Sequence, residues 1–302
     1  MELVHATEAT ALRCAAMLGK GDPNRVSEAA GETMLRVLEQ SGLSGSVVLS
    51  PRHQTALPSG TQVTGGDRKV DLGVYPIEGA SQVARGHINA VSLLVAVEPG
   101  GFARLPGVTV ERFVAGPAAR GAIDLDDSVA DNLRRIAFAN EVRVQDLTVA
   151  ILERPRHQEL IAEVAAAGAR IRTLEEGDFA SAVMAALPGT GIDAAIGTGD
   201  PQATVIAACA VRCLGGEFLA RLAPRNDEER KAAGENPTHV YPLAELAPAA
   251  AIEVAITGVT GGPLLPGVSF GSGHAETSSL VMSSPRGTVR RVTTRHYAAG
   301  GR

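Results

Sequence analysis

Between residues 147 and 214, runs that suit a buried strand alternate with runs that suit a helix, and few folds accept that order. Residues 147–152, 169–174 and 192–196 are short and apolar. Residues 157–167, 179–187 and 202–214 repeat apolar side chains at helical spacing. A helix between two such strands returns the chain along a sheet. The succession therefore predicts right-handed βαβ crossovers on a mainly parallel sheet, an α/β class of fold.

The first half is less regular and reads as α+β. Helical periodicity covers 6–20 and 25–42, with Gly19-Lys20-Gly21-Asp22-Pro23-Asn24 as the breaker between them. Gly45-Ser46-Val47-Val48-Leu49 reads as a short strand, followed by a polar, Pro- and Gly-rich loop to about residue 68. Strands are expected at 70–75 and 90–97, the first ending in a Pro76-Ile77-Glu78-Gly79 turn. Asp126, Asp127 and Ser128 suit the start of a helix over 126–140. Residues 226–250 look loop-like, and strands near 252–257, 279–283 and 288–294 finish the chain. A length of 302 residues fits two domains, placed here at 1–143 and 144–302.

Charge narrows the partners. The formal net charge is −5, with acidic and basic residues mixed throughout, which argues against nucleic acid or an anionic membrane as partner. Lys20, Lys69 and Lys231 are the lysines, so arginine supplies most of the positive charge. GC-rich coding accounts for that, as does a need for planar, bidentate phosphate recognition. No apolar run approaches the ~20 residues needed to span a bilayer, and no signal peptide is evident. Cys14, Cys209 and Cys213 lie in apolar helical runs and read as buried, reduced thiols, as expected in the cytoplasm.

In a parallel sheet, ligands gather beyond the carboxyl ends of the strands. Glu153-Arg154-Pro155-Arg156-His157 follows the first strand of the alternating half and sets two guanidiniums before a helix N-terminus, suiting a phosphate. Glu175-Glu176-Gly177-Asp178 follows the second, where Glu176 and Asp178 suit sugar hydroxyls or, for Asp178, a helix cap. Gly197-Thr198-Gly199-Asp200-Pro201-Gln202 follows the third as a glycine loop whose amides face an anion, or as a tight left-handed turn.

These blocks, in this order, resemble the class II fructose-1,6-bisphosphatase / sedoheptulose-1,7-bisphosphatase family of bacteria. The likeness rests on Gly19-Lys20-Gly21-Asp22, Pro76-Ile77-Glu78-Gly79, Gly86 with Asn89-Ala90, Gly116-Pro117 and Gly121-Ala122-Ile123-Asp124-Leu125. It continues through Arg154 to His157, Glu176-Gly177-Asp178, Arg221, Arg225 to Asp227, Thr257-Gly258-Val259-Thr260 and Thr288 to Arg291. It implies the layered αβαβα sandwich of the lithium-sensitive sugar and inositol phosphatase superfamily. It also implies a cytoplasmic homodimer or homotetramer and a phosphorylated small-molecule substrate. Arg154 and Arg156, with His157, would then hold the phosphate that is not cleaved and Glu176 and Asp178 the sugar hydroxyls, with Gly197 and Gly199 among the substrate- or phosphate-binding candidates.

The family's reaction is Mg²⁺- or Mn²⁺-assisted hydrolysis of the sugar's 1-phosphate, resting on carboxylates as hard oxygen ligands. At those positions this chain has Ser27, then Ser50-Pro51-Arg52-His53, Tyr75 and Gln202, and Glu78 is the principal acidic ligand that remains. One carboxylate does not offset the dehydration of Mg²⁺. The expectation is thus no metal and no cofactor, with Mg²⁺ or Mn²⁺ as the alternative, including a rearranged site of Asp22, Asp71 and Glu78. Metal-free chemistry needs a positioned acid and base. Tyr75, Glu78 and His53 are the catalytic candidates for isomerisation, epimerisation or elimination on a phosphorylated sugar, and Arg52 is a phosphate ligand. A bisphosphatase with rearranged ligands and a silent binding paralogue are the alternative functions.

Overall fold

Two sheets order the strands, one in each of two compact units: residues 1–101 with 249–302, and residues 102–248. The computed structural model describes residues 2–51, 54–234 and 236–297. In chain order the elements begin with α1 (Glu2–Ala15), α2 (Pro23–Leu38), β1 (Leu43–Leu49), β2 (Gln62–Thr64), β3 (Arg68–Glu78), α3 (Ala80–Arg85) and β4 (Val91–Val97). Then come β5 (Val110–Ala115), α4 (Val129–Ala139), β6 (Thr148–Leu152), α5 (Gln158–Ala166), β7 (Arg170–Leu174), α6 (Asp178–Ala186), β8 (Ala194–Gly199) and α7 (Pro201–Leu214). The chain ends with β9 (Glu217–Leu222), α8 (Asp227–Ala232), β10 (Val240–Pro242), α9 (Leu243–Leu246), β11 (Ile252–Gly258), β12 (Ser269–Gly271), β13 (His274–Ser284) and β14 (Thr288–Tyr297). This is a mixed α/β protein.

In the first unit the sheet order is β12-β13-β11-β4-β3-β1-β2, with β14 also on β13. Among the described strands of this unit, only β1 and β3 pair in parallel. Asp22 caps α2 by accepting the Arg25 N–H at 3.1 Å, with Pro23 in the first turn, where its missing N–H costs nothing. The apolar stripe of α2 then buries Met34 and Leu38 with Leu3 and Val4 of α1 against Leu72, Val74 and Leu94 of the sheet. β11 lies antiparallel to β4, Ile252 opposite Val97 and Gly258 opposite Val91. That pairing returns the last strands to the first unit, so a boundary at 143/144 falls inside the second.

In the second unit the order is β10-β9-β5-β8-β6-β7. The alternating succession from β6 to α7 is present, with ends within a few residues of those expected. Among its described strands the sheet is parallel only across β7, β6 and β8. β5, from earlier in the chain, inserts antiparallel between β8 and β9, and β10 is antiparallel to β9. The mainly parallel sheet is corrected accordingly. Its core packs Leu133 and Ile136 of α4 with Val149 and Ile151 of β6 and Val164 of α5.

Cys14, Cys209 and Cys213 are free and buried, and burial pushes the Cys14 thiol up to about 12. Among the described residues no helix is long and apolar enough to cross a membrane.

Candidate functional site

The strongest cluster lies in the second unit, where β6 gives way to α5. Pro155 holds Arg154 in an extended conformation (φ −135°, ψ 143°), as the residue before a proline prefers, and starts a single 3₁₀ turn ending at His157. That turn carries His157 inward to 2% exposure. Nδ1 of His157 lies 2.8 Å from the Leu152 carbonyl, which can only accept, so Nδ1 carries the proton. Nε2 is then the lone-pair nitrogen, and it accepts the Thr198 backbone N–H at 3.0 Å. The Thr198 hydroxyl is also 3.0 Å from Nε2. The ring is neutral: burial lowers its pKa, while the bond to Leu152 opposes that shift.

Gly197 makes this approach possible. It has φ +151°, and a Cβ there would stand 3.1 Å from the His157 ring. The expected glycine loop is corrected here, because Gly197, Thr198 and Gly199 continue β8, opposite Arg112, Glu111 and Val110 of β5. Asp200 then caps α7, accepting from the N–H groups of Gln202 at 2.8 Å and Ala203 at 3.1 Å.

Arg156 reaches back to the same threonine. Its Nε donates to the Thr198 hydroxyl at 2.7 Å and its Nη2 to the Thr198 carbonyl at 3.2 Å. Burial lowers its pKa, Asp178 opposes this, and the charges of Arg154, Arg225 and Arg112 add to the lowering. Three guanidiniums within electrostatic reach of a fourth, that of Arg156, make a local field that favours an anion. Arg154 is folded back, donating to the Glu153 carbonyl at 2.9 Å. Arg225 is held by Glu229 at 2.8 Å, and that carboxylate also accepts from the Thr109 amide. These bonds, the Arg225 side chain foremost, bring the Glu229 pKa down to about 2. A cavity of about 260 Å³ is lined by Arg156, His157, Gly197 and Thr198 together with Phe113 and Leu160.

Glu176 is half-buried before Gly177, and Asp178 opens α6. Asp178 pairs through Oδ1 with Nη2 of Arg112. Sequence reasoning misses Arg112. The one signal was an arginine within the short apolar run Val110-Glu111-Arg112-Phe113-Val114.

Tyr75 and Glu78 belong to the first unit. The expected turn at Pro76-Ile77-Glu78-Gly79 is corrected: β3 runs on to Glu78, with a bulge that shifts its register on β4 between Tyr75, opposite Leu93, and Glu78, opposite Val91. Tyr75 is half-buried and Glu78 is 2% exposed. Gly79, with φ +93°, then turns the chain into α3. Arg52 and His53 lie outside the described residues. Asp22 is employed as the α2 cap, and Asp71 accepts the Gly100 N–H at 2.8 Å. Ser27 presents a buried hydroxyl with no hydrogen-bond partner. Among the described residues no group of three or more His, Cys, Asp or Glu is arranged to hold a metal ion.

Comparison with known proteins follows the same lines. The family model described as bacterial fructose-1,6-bisphosphatase, glpX-encoded, matches residues 1–296. The D-fructose 1,6-bisphosphatase class 2/sedoheptulose 1,7-bisphosphatase of a Synechocystis species is 33% identical over 328 residues, covering 98% of this chain and 95% of that protein. The protein of the same name from Crocosphaera subtropica gives the same figures. That of a Synechococcus species is 33% identical over 332 residues, covering 99% and 96%. These matches overturn the expectation that no cofactor is used, because hydrolysis in the matched family is the metal-assisted reaction. Nor do they support isomerase, epimerase or lyase chemistry, since the names of these relatives are those of bisphosphatases.

Proposed function

The chain belongs to the bacterial class II fructose-1,6-bisphosphatase family, and from that premise we propose that it binds a phosphorylated sugar in its second unit and hydrolyses a phosphate ester, with Mg²⁺ or Mn²⁺ as cofactor. The observation that carries this reading is Arg156 anchored on Thr198, beside the neutral His157 and within the field of Arg154, Arg225 and Arg112. A fixed guanidinium plane suits a phosphate better than a free one, because its ordering has been completed in advance. Glu176, Asp178, Gly197 and Gly199 surround the sugar in this reading. Glu78 and Tyr75, with His53 and Arg52, belong to the reacting end. The layered sandwich of the lithium-sensitive phosphatases is part of the same proposal, supported by two sheets with helices in one chain. So are a homodimer or homotetramer and a cytoplasmic location.

A second reading, binding without turnover, is favoured by one observation: Ser27, Tyr75 and Gln202 stand at acidic positions of the family pattern. Phosphate release from fructose 1,6-bisphosphate and sedoheptulose 1,7-bisphosphate, with Mn²⁺ or Mg²⁺ and again with EDTA, separates the two. Release that EDTA abolishes supports the phosphatase. Thermal stabilisation by the sugar phosphates without release supports the binder. Neither release nor stabilisation sinks both.

A further inference from the structure

Arg112 is a buried charge whose hydrogen bonding is incomplete. Strand alternation turns its side chain to the face of β5 opposite Glu111 and Phe113, and it is 5% exposed. One side of its guanidinium is occupied, Nη2 donating to Asp178 Oδ1. The other is not: Nη1 is buried without a hydrogen-bond partner. Buried guanidinium N–H groups are rarely left without a partner.

What lies beside that nitrogen identifies the ligand. A Cβ on Gly199 would stand 2.8 Å from Asp178 Oδ2 and 3.1 Å from Arg112 Nη1. A carboxylate acceptor and a guanidinium donor therefore both close on the Gly199 backbone, an approach that any side chain there would block. A phosphate there would be repelled by the Asp178 carboxylate. A hydroxyl meets both demands, donating to Oδ2 and accepting from Nη1. Arg156, anchored on Thr198 and proposed as the phosphate seat, is within electrostatic reach of both Asp178 and Arg112.

We propose that Arg112 is a substrate-binding residue whose Nη1 donates to a hydroxyl oxygen of the bound sugar, with Asp178 Oδ2 accepting from that hydroxyl or its neighbour. The assignment rests on the reading of this unit as a sugar-phosphate site, and it makes the site selective for polyhydroxylated phosphates over phosphate itself. The ion pair fixes the carboxylate so that Oδ1 is committed to Arg112 and Oδ2 is presented to the ligand.

Calorimetric titration of the full chain with fructose 6-phosphate, fructose 1,6-bisphosphate and inorganic phosphate tests it. Arg112→Lys keeps a charge beside Asp178 but loses the fork. It is expected to weaken both sugar phosphates about tenfold, the loss of one charge-assisted hydrogen bond, and to leave inorganic phosphate unchanged. Arg156→Ala is expected to weaken all three. Gly199→Ala, whose methyl group would press on Asp178 and Arg112, is expected to repeat the Arg112→Lys pattern. Wild-type affinity for the sugar phosphates in a folded Arg112→Lys protein overturns the assignment, as does an equal loss for inorganic phosphate. Failure of the wild-type chain to bind any sugar phosphate removes the functional reading beneath it. Should Arg112→Lys not fold, Asp178→Asn, which removes the acceptor but keeps the shape, decides by the same comparison.

Discussion

Nε2 of His157 accepts the backbone N–H of Thr198 at 3.0 Å, which ties the turn after β6 to the end of β8. The bond exists only while that nitrogen has a free lone pair. Protonation would set two N–H groups against each other at the point where Arg156 is also anchored.

The first prediction is a pH dependence of sign opposite to that of a histidine paired with an acid. Burial lowers the folded-state pKa of His157 below its ordinary value. Over the interval between the two values the unfolded chain binds more protons, so stability rises with pH there. Stability is complete above about pH 6.5, the ordinary imidazole value, and is lost as pH falls towards the lowered folded value. Melting temperatures measured from about pH 8 to pH 5 should drop across that window. His157→Gln, which cannot titrate, should flatten the drop. An equal drop in that variant assigns the effect to other groups.

Removing the imidazole altogether should be costlier. His157→Ala leaves the Leu152 carbonyl and the Thr198 amide without partners in a buried site, worth roughly 2–3 kcal/mol together. A denaturant melt with unchanged slope and a lower midpoint would show it.

Gly197→Ala tests the same junction from the opposite strand. Its φ of +151° disfavours any side chain, and the added carbon would meet the His157 ring at 3.1 Å. A destabilisation of about 1–3 kcal/mol is expected, with weakened sugar-phosphate binding. A variant as stable as the wild type would mean that the ring has room to retreat.

Much of this was legible in advance. The βαβ succession in the second unit could be read because each element carries its own periodicity over a contiguous run. Glu153 to His157 could be placed because a proline after a strand marks a turn wherever it occurs. Arg112 could not. β5 is short, and its pairing with β8 and β9 depends on residues far away in sequence. Gly197 and Gly199 suggested a loop because glycine is the usual signal for one. Here the missing side chains instead admit His157 at Gly197, and Asp178 with Arg112 at Gly199. The return of β11 to β4 was illegible for the same reason, since antiparallel partners at long range leave no local pattern.

Arg156→Ala should abolish the phosphate seat while leaving the fold intact. The residue is exposed, and both of its hydrogen bonds go to Thr198, which retains His157. Affinity for inorganic phosphate should fall about ten- to a hundredfold, the range for a charged hydrogen-bonding group. Arg156→Lys should recover only part of it, because an ammonium keeps the charge without the planar fork.

The proposed reacting end gives the last prediction. Glu78 is a buried carboxylate placed by the β3 bulge, and it is the acidic residue that the family pattern retains there. If the chain is a phosphatase, its phosphate release needs added Mn²⁺ or Mg²⁺, and Glu78→Gln should lower kcat by about a hundredfold or more. Tyr75→Phe keeps the ring that fills the half-buried position and removes only the hydroxyl. It should change KM or kcat only if that hydroxyl touches the reacting phosphate. Thermal melts with and without Mn²⁺ should accompany the kinetics, because a cation bound to the folded state raises the melting temperature whether or not turnover follows. Unchanged phosphate release in a folded Glu78→Gln protein would remove this carboxylate from the reaction and leave the sugar-phosphate grip of the second unit as the part of the functional reading still standing.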